Sequence, residues 1–487
     1  MTPSDLVALS PYMVVAATAV VLMLMVAFHR SHAPAAILTG AGLTAAFGTL
    51  FAVHSSSPGR QVTSLLLVDD FALFFVGLIL AAALAVLLLS YGYLRDRPGN
   101  REEYYLLILL AVLGGSVLAA STHFASLFLG LEILSISLYA LIAYPRTLDE
   151  GIEAAIKYLV LSATSAAFLL FGMALIYSQL GTMRFSLIAS TQSSGANPEN
   201  LLVLAGSAML FVGIGFKLSL VPFHMWAPDV YQGAPAPVAA LISTVSKGAI
   251  FAVLLRYFTV VDIRGYGSLY VMIAVVSFAS MAAGNLLALL QDNVKRILAY
   301  SSIAHMGYLL VAFLAGGALG TTAVAIYLVA YFAATLAAFG VVVLISGPGE
   351  EVQEMDGYRG LFWRRPWLAT VLTVALLSLA GIPLTAGFIG KLYLLAAGVG
   401  PALWALVLTL VVTSTIGLFY YLRVVTAMLS RPVEGPVEAH PPLSAPGAMA
   451  LAALTIALFW LGIFPTPVIQ ILQDTVGRLT GLPLPTL

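Results

Sequence analysis

Windows of about 20 predominantly apolar residues follow one another along almost the entire chain, and that spacing decides the class of fold. In hydrocarbon every backbone N–H and C=O has to be paired within its own segment, so each window reads as a membrane-crossing helix. They fall near 9–29, 34–53, 69–94, 104–121, 123–143, 153–180, 200–221, 237–257, 267–290, 295–316, 321–346, 368–398, 402–428 and 447–467, fourteen in all. The polar stretches between them stay under roughly 20 residues, too short for a separate folded unit. The expectation is an all-α membrane protein with residues 1–487 as one polytopic domain. The first window has neither a basic n-region nor a small-residue cleavage site, so it reads as a span and not as a signal peptide.

Of the 487 residues, 61% are hydrophobic and 9% charged, against about a quarter charged in soluble domains. Net charge is zero, which leaves no electrostatic footprint for nucleic acid. There is no cysteine, so disulfides and cysteine-ligated clusters are excluded. No His/Asp/Glu group has metal-ligand spacing, and neither a Walker loop nor a dinucleotide fingerprint occurs.

Two windows are irregular. In 211–237, FVGIGFKLSLVPFHMWAPDVYQGAPAP, an apolar run carrying Lys217 meets Pro222 and His224. In LSLAGIPLTAGFIGKLYLL, 377–395, Gly381-Ile382-Pro383 interrupts a run carrying Lys391. These are the seventh and twelfth spans. Two broken segments at corresponding positions point to inverted repeats with a site near mid-membrane. Loop charge gives an orientation: twelve basic residues lie in loops after odd-numbered spans and five after even-numbered ones or in the tail. The positive-inside rule then puts both termini on the periplasmic side.

The basic residues divide by type. Four of the five lysines, Lys157, Lys217, Lys247 and Lys391, fall inside apolar runs, whereas none of the sixteen arginines is expected deep in a span. Charge inside a bilayer is costly and usually functional. A desolvated lysine can release its proton; arginine stays charged. A structural cation has no use for that difference, and a proton carrier does. Lys157 sits early in its span, so snorkelling to the surface is an equal reading. Lys391 could instead cap a carbonyl freed by the break. Glu132 is the one carboxylate near the middle of a span. A Glu132–Lys217 pair would be a protonation switch, or else a static packing pair. His305, about 15 Å of helix rise into its span, suits a proton wire or a satisfied core histidine. Ser301 and Ser302, one turn before it, could hold a water. His224 adjoins the first break. His29, His32, His54, His123 and His440 read as surface residues, and Asp69-Asp70 as a helix cap.

FKLSLVPFHMWAPDVYQGAPAPVAALISTVSKGAIFA, LAGIPLTAGFIGKLYLL, VKRILAYSSIAHMGYLL and GLEILSISLYALIAY together resemble the antiporter-like membrane subunits of respiratory complex I, the bacterial proton-pumping NADH–quinone oxidoreductase. The lysine at 391 and the length near 490 set the chain apart from members with a glutamate there or a long lateral C-terminal helix. The resemblance implies fourteen helices: three initial ones in 1–103, a half-channel repeat in 104–257, a second, inverted repeat in 267–428, and a last helix at 447–467. It implies a relay of Glu132, Lys217, Lys247 and Lys391, with His305 lining the second half and Lys157 and His224 as further candidates.

The same resemblance implies a bacterial inner-membrane subunit without cofactors of its own. FMN, iron–sulfur clusters, NADH and quinone would bind elsewhere in the complex. Its partners would be the lipid bilayer and neighbouring membrane subunits of the M, K, J and L types, and it would not act as a stand-alone homo-oligomer. Proton translocation coupled to NADH oxidation is the expected activity, in a translocase to which this chain contributes no redox chemistry. The rival readings are a subunit of a multisubunit Na+/H+ (Mrp-type) antiporter and the membrane part of an energy-converting hydrogenase.

Overall fold

The computed structural model describes all residues except 1, 57–58, 96, 146–148, 194–199, 262–265, 348–350, 432–442 and 481–487, and the side chains of 191–193 and 476–480. Arg146, Arg264 and the Arg478 side chain, counted above among the loop and tail cations, and His440 lie outside the described residues. In chain order the helices are α1 (Pro3–Ala8), α2 (Ser10–Phe28), α3 (His32–Ser56), α4 (Asp70–Arg95), α5 (Glu102–Ala120), α6 (Phe124–Ile142), α7 (Asp149–Leu180), α8 (Phe185–Ser193), α9 (Leu201–Lys217), α10 (Trp226–Gly233) and α11 (Ala236–Leu241). A π turn, Ile242–Ser246, joins α11 to α12 (Lys247–Val260). Then come α13 (Gly267–Leu289), α14 (Val294–Ala315), α15 (Gly317–Ile345), α16 (Leu361–Arg364), α17 (Pro366–Ala380), α18 (Ala386–Val399), α19 (Trp404–Leu429), α20 (Ala445–Ile463) and α21 (Thr466–Thr480). A small antiparallel hairpin, β1 (Arg60–Val62) with β2 (Leu66–Val68), sets Arg60 opposite Val68.

Among the described residues, 12 helical stretches are long and apolar enough to cross a membrane. Burial sorts them. In the most apolar 18-residue part of each, every residue of Ala236–Val260 and Val294–Ala315 is buried and 94% of those of Gly317–Ile345, against 22% for Ala445–Ile463. The first three are therefore the centre of the bundle, and apolar faces on the rim helices are left for lipid or protein neighbours. Lys247 and His305 sit on two of the three central helices. Local chemistry fixes several starts. Asn200 caps α9 by accepting the Leu202 N–H at 3.0 Å, His123 caps α6 through the Ala125 N–H at 3.1 Å, and Asn293 caps α14 through the Arg296 N–H at 3.1 Å.

Both expected interruptions are present, and at each a backbone carbonyl accepts from a side chain. α9 stops at Lys217, before Pro222, where Ser219 takes the left-handed φ of 59°. The Phe216 carbonyl then accepts the Trp226 indole N–H at 3.0 Å. α17 stops at Ala380, and the chain passes through Gly381 (φ 85°), Pro383 and Leu384 (φ 74°) before α18 begins. The freed Ala380 carbonyl accepts from Lys391 Nζ at 2.7 Å, so the capping reading of Lys391 describes one of its contacts. Two further features were not expected from the sequence. One is the π turn directly before Lys247, in a stretch without proline or glycine. The other is α21, whose Leu472 is buried beside Ile326 of α15 where the chain was read as tail.

Gly381 is needed for two reasons at once. Its φ favours glycine, and a Cβ there would lie 2.6 Å from Lys391 Cδ. Gly381→Ala is therefore expected to destabilise the chain by about 1–3 kcal/mol and to push Lys391 off the Ala380 carbonyl, read as a lower unfolding temperature of the detergent-solubilised protein.

Candidate functional site

Three lysines lie inside the bundle without a carboxylate partner. Lys217 is 3% exposed, Lys247 0% and Lys391 8%. Among the described residues no Asp or Glu comes within ion-pair distance of any of them. Their hydrogens go to neutral acceptors. Lys217 Nζ donates to Ser135 Oγ at 2.6 Å and Ser162 Oγ at 2.5 Å, and lies 5.7 Å from the Tyr158 ring centre. Lys247 Nζ donates to Ser302 Oγ at 2.6 Å and lies 5.7 Å from the Tyr231 ring. Lys391 Nζ donates to Ser414 Oγ at 2.6 Å as well as to Ala380, and lies 5.4 Å from the Tyr308 ring.

Hydroxyls and rings join the last two lysines. Ser302 Oγ shares a 2.5 Å hydrogen bond with Tyr331 OH, whose ring is tilted against His305 at 5.3 Å. His305 Nδ1 pairs with Tyr327 OH at 2.5 Å and Nε2 with Tyr421 OH at 3.2 Å, and Tyr421 in turn bonds Ser301. The His305 ring meets Tyr308 edge-on at 5.4 Å, and Tyr308 is the ring beside Lys391. Tyr308 OH accepts from Asn285 Nδ2 at 2.8 Å, and Asn285 Oδ1 accepts from Tyr420 OH at 3.1 Å. Serine, tyrosine and neutral histidine both donate and accept, so each hydrogen-bonded run, Lys247–Ser302–Tyr331 and Tyr327–His305–Tyr421–Ser301, can pass a proton along itself, while the two runs meet each other, and His305 meets the Tyr308 ring beside Lys391, through ring contacts. Ser301 and Ser302, read as water holders, instead hold Tyr421 and Lys247 directly.

Four charged residues sit otherwise than the sequence reading has them. Glu132 makes no ion pair with Lys217. Ser135, one helical turn further along α6, takes the ammonium instead, and Glu132 Oε1 is buried without a hydrogen-bond partner. Lys157 is no interior lysine: its side chain is 45% exposed and pairs with Glu153 at 2.7 Å and Asp229 at 3.0 Å, because the start of α7 is at the surface. Lys295, assigned to a loop, is fully buried and pairs with Glu351 at 2.5 Å. Arg256, also assigned to a loop, is 2% exposed near the end of α12. It grips both oxygens of Asp69, at 2.9 and 2.6 Å, and donates to the Ala119 carbonyl at 3.0 Å. Asp69 also caps α4 as expected, through the Ala72 N–H at 2.8 Å. Window-by-window reading misses such pairs because their partners are remote in sequence.

The remaining histidines divide. His224 is buried at the first break, with Nδ1 unpartnered. His32 is stacked on Tyr91 at 4.8 Å and bonds Tyr105 OH at 2.7 Å, so it is not a plain surface residue. His54 is exposed and pairs with Asp70 at 2.7 Å.

Glu351, in the stretch after α15, differs from Glu132 in being fully engaged. Burial alone would raise its pKa, but the Lys295 charge and hydrogen bonds from Lys295, Tyr93 and the Ala236 N–H outweigh that and hold it below the ordinary carboxylate value. The contrast is chemical: the paired cations are fixed, and the three interior lysines rest on groups that do not require them to be charged.

A bundle of apolar spans that buries three lysines, two of them on interrupted stretches, defines a multi-pass helical membrane protein with ionisable groups in its interior. Residues 121–417 match the family described as NADH:quinone oxidoreductase/Mrp antiporter, TM, and the chain belongs to that family. It is 47% identical to NADH-quinone oxidoreductase subunit N of Ectopseudomonas mendocina (strain ymp), over 97% of both chains. The structure is similar to a chain of respiratory complex I from Thermus thermophilus with bound aureothin, at a TM-score of 0.81 and 34% identity over 94% of this chain and 98% of that one. It also superposes on a chain of the Mrp complex from Dietzia sp. DQ12-45-1b at a TM-score of 0.85, covering 99% and 98% of the two chains, but at 21% identity that likeness concerns the fold alone.

Proposed function

We propose that this chain is the proton-translocating membrane subunit of a bacterial NADH–quinone oxidoreductase. It carries protons while electron transfer from NADH to quinone takes place on other subunits, which hold the flavin, the iron–sulfur clusters and the quinone site. The observation that carries the reading is the set of three buried lysines held by neutral partners. Removing charge from a buried ion pair leaves its partner stranded. Removing a proton from Lys217, Lys247 or Lys391 strands nothing, so each can alternate between two protonation states.

The path runs from the side of the odd-to-even loops, read as cytoplasmic, to Lys217. It continues to Lys247, through Ser302, Tyr331 and His305 to Lys391, and out past Ser414. Fourteen crossings follow if the two interrupted stretches each count as one span, with termini on the periplasmic side and two inverted five-helix repeats. Lys295 and Arg256, buried and paired, drop out of the loop-charge count without reversing its sign. Glu132 acts by swinging toward Lys217 from one turn away. At about 4 Å and an effective dielectric near 20, the attraction of about 4 kcal/mol is enough to load the lysine.

The rival, sodium–proton antiport, shares the fold, and the high identity to subunit N favours the respiratory reading. Inverted membrane vesicles separate the two. With Glu132→Gln, NADH-driven acidification is expected to fall severalfold while the complex assembles in normal amount. Wild-type acidification would remove Glu132 from the mechanism. A sodium-driven pH change that needs Lys217 and no NADH would replace the reading with the rival.

A further inference from the structure

We propose that Glu351 and Lys295 form a clamp that positions Lys247 against Ser302, a role that rests on the relay described above. The Lys295 ammonium spends its three hydrogens on the Gln232 carbonyl at 2.8 Å, the Ala234 carbonyl at 2.6 Å and Glu351 Oε2 at 2.5 Å. Glu351 Oε1 accepts from Tyr93 OH at 2.6 Å and from the Ala236 N–H at 2.8 Å. With all three donors used and a carboxylate attached, Lys295 is a fixed cation.

Its place in the fold gives the pair leverage. Ala236 is the first residue of α11, so Glu351 satisfies one of the N–H groups that a helix start leaves open. Pro235 and Pro237 flank it and have no N–H to offer. That helix continues through the π turn to Lys247. Lys295 is the second residue of α14, and Ser302 lies seven residues, two turns, further along the same face. The clamp thus ties together the starts of the two helices that meet at the 2.6 Å Lys247–Ser302 contact. The stretch bearing Glu351 is itself laced to α14: Val294 N–H donates to the Gln353 carbonyl at 2.7 Å, and Asn293 Nδ2 to Gln353 Oε1 at 3.0 Å. A cavity of about 570 Å³, lined in part by Tyr93, Gln232, Glu351 and Gln353, lies over the clamp.

The experiment is a mutant cycle in the whole complex, reconstituted in vesicles, reading protons moved per NADH oxidised. Glu351→Gln keeps the shape and an oxygen acceptor but removes the charge that holds Lys295. It is expected to lower the ratio severalfold, and combination with Ser302→Ala is expected to lower it no further than Ser302→Ala alone, because residues acting through one contact are not additive. A merely structural clamp would give additive losses, and that result, or a wild-type ratio in Glu351→Gln, overturns the proposal. Should Glu351→Gln fail to assemble, Glu351→Asp, which keeps the charge but draws it back by one methylene, is carried through the same cycle and judged by the same outcomes. Lys247→Arg run alongside separates the two levels: if it pumps normally, the relay reading falls; if it does not pump while Glu351→Gln does, only the clamp falls.

Discussion

Lys247→Arg is expected to leave the complex assembled and to reduce NADH-driven proton pumping by about tenfold or more, a loss equivalent to at least 1.4 kcal/mol in a barrier. Arginine retains the positive charge, so a lysine that served only as a buried cation would be replaced at little cost to coupling. Its guanidinium does not release a proton under these conditions, so a carrier at 247 would be stopped. The site also separates size from chemistry. Lys247 is fully buried, so the larger arginine has to be fitted into a close-packed interior. Lys247→Gln, smaller and neutral, is the control. Both variants failing to pump identifies loss of proton exchange as the cause. Failure of arginine alone would indicate overpacking, and normal pumping by arginine would show that 247 is structural. Vesicle acidification with a pH-sensitive dye measures all three.

Lys217→Met should separate stability from function in opposite directions. Methionine matches the lysine stem and removes a buried ammonium that has no carboxylate partner. Ser162 keeps its 2.6 Å bond to Tyr139 and Ser135 keeps the Leu131 carbonyl at 2.6 Å, so neither serine is left unpaired. The unfolding temperature is therefore expected to stay level or rise, as when buried charges are replaced by apolar groups of similar volume. Proton transfer through this subunit should nevertheless fall about tenfold or more. Thermal unfolding of the purified complex and vesicle pumping, measured on one preparation, decide the matter. A variant that is less stable and pumps in proportion to its surviving amount would make Lys217 a structural residue.

Much of the bundle was legible because apolar run length answers directly to bilayer thickness. The two interruptions were legible too, since proline and glycine mark them chemically. The start of α9 moved by one residue from the expected 200 to Leu201, and that of α13 stayed at 267. The π turn at Ile242–Ser246 was not legible, because ISTVS carries neither proline nor glycine to mark it. α21 was read as tail, because its polar face lowers the average that marks a span.

In the site, residue type spoke clearly. Lysine where arginine is absent, a mid-span glutamate and a mid-span histidine all stand out on any reading of the chain. Pairing did not. Glu132 and Lys217 looked like partners because they were the charges most in need of one, yet Ser135 and Ser162 stand between that expectation and the geometry. Lys295 and Arg256 looked like loop cations because they lie at the ends of windows, and their partners Glu351 and Asp69 come from distant segments.

The sequence alone determined that this chain crosses a membrane many times, that two of its crossings are broken and that ionisable groups are kept where they are costly. Those are consequences of solvent: hydrocarbon rejects charge and unpaired backbone wherever they occur, so each residue reports on itself. Only the tertiary structure decided which cations are locked in ion pairs and which rest on hydroxyls. That depends on contacts a few ångströms long between segments up to 187 positions apart, as with Arg256 and Asp69, which no local run of residues encodes.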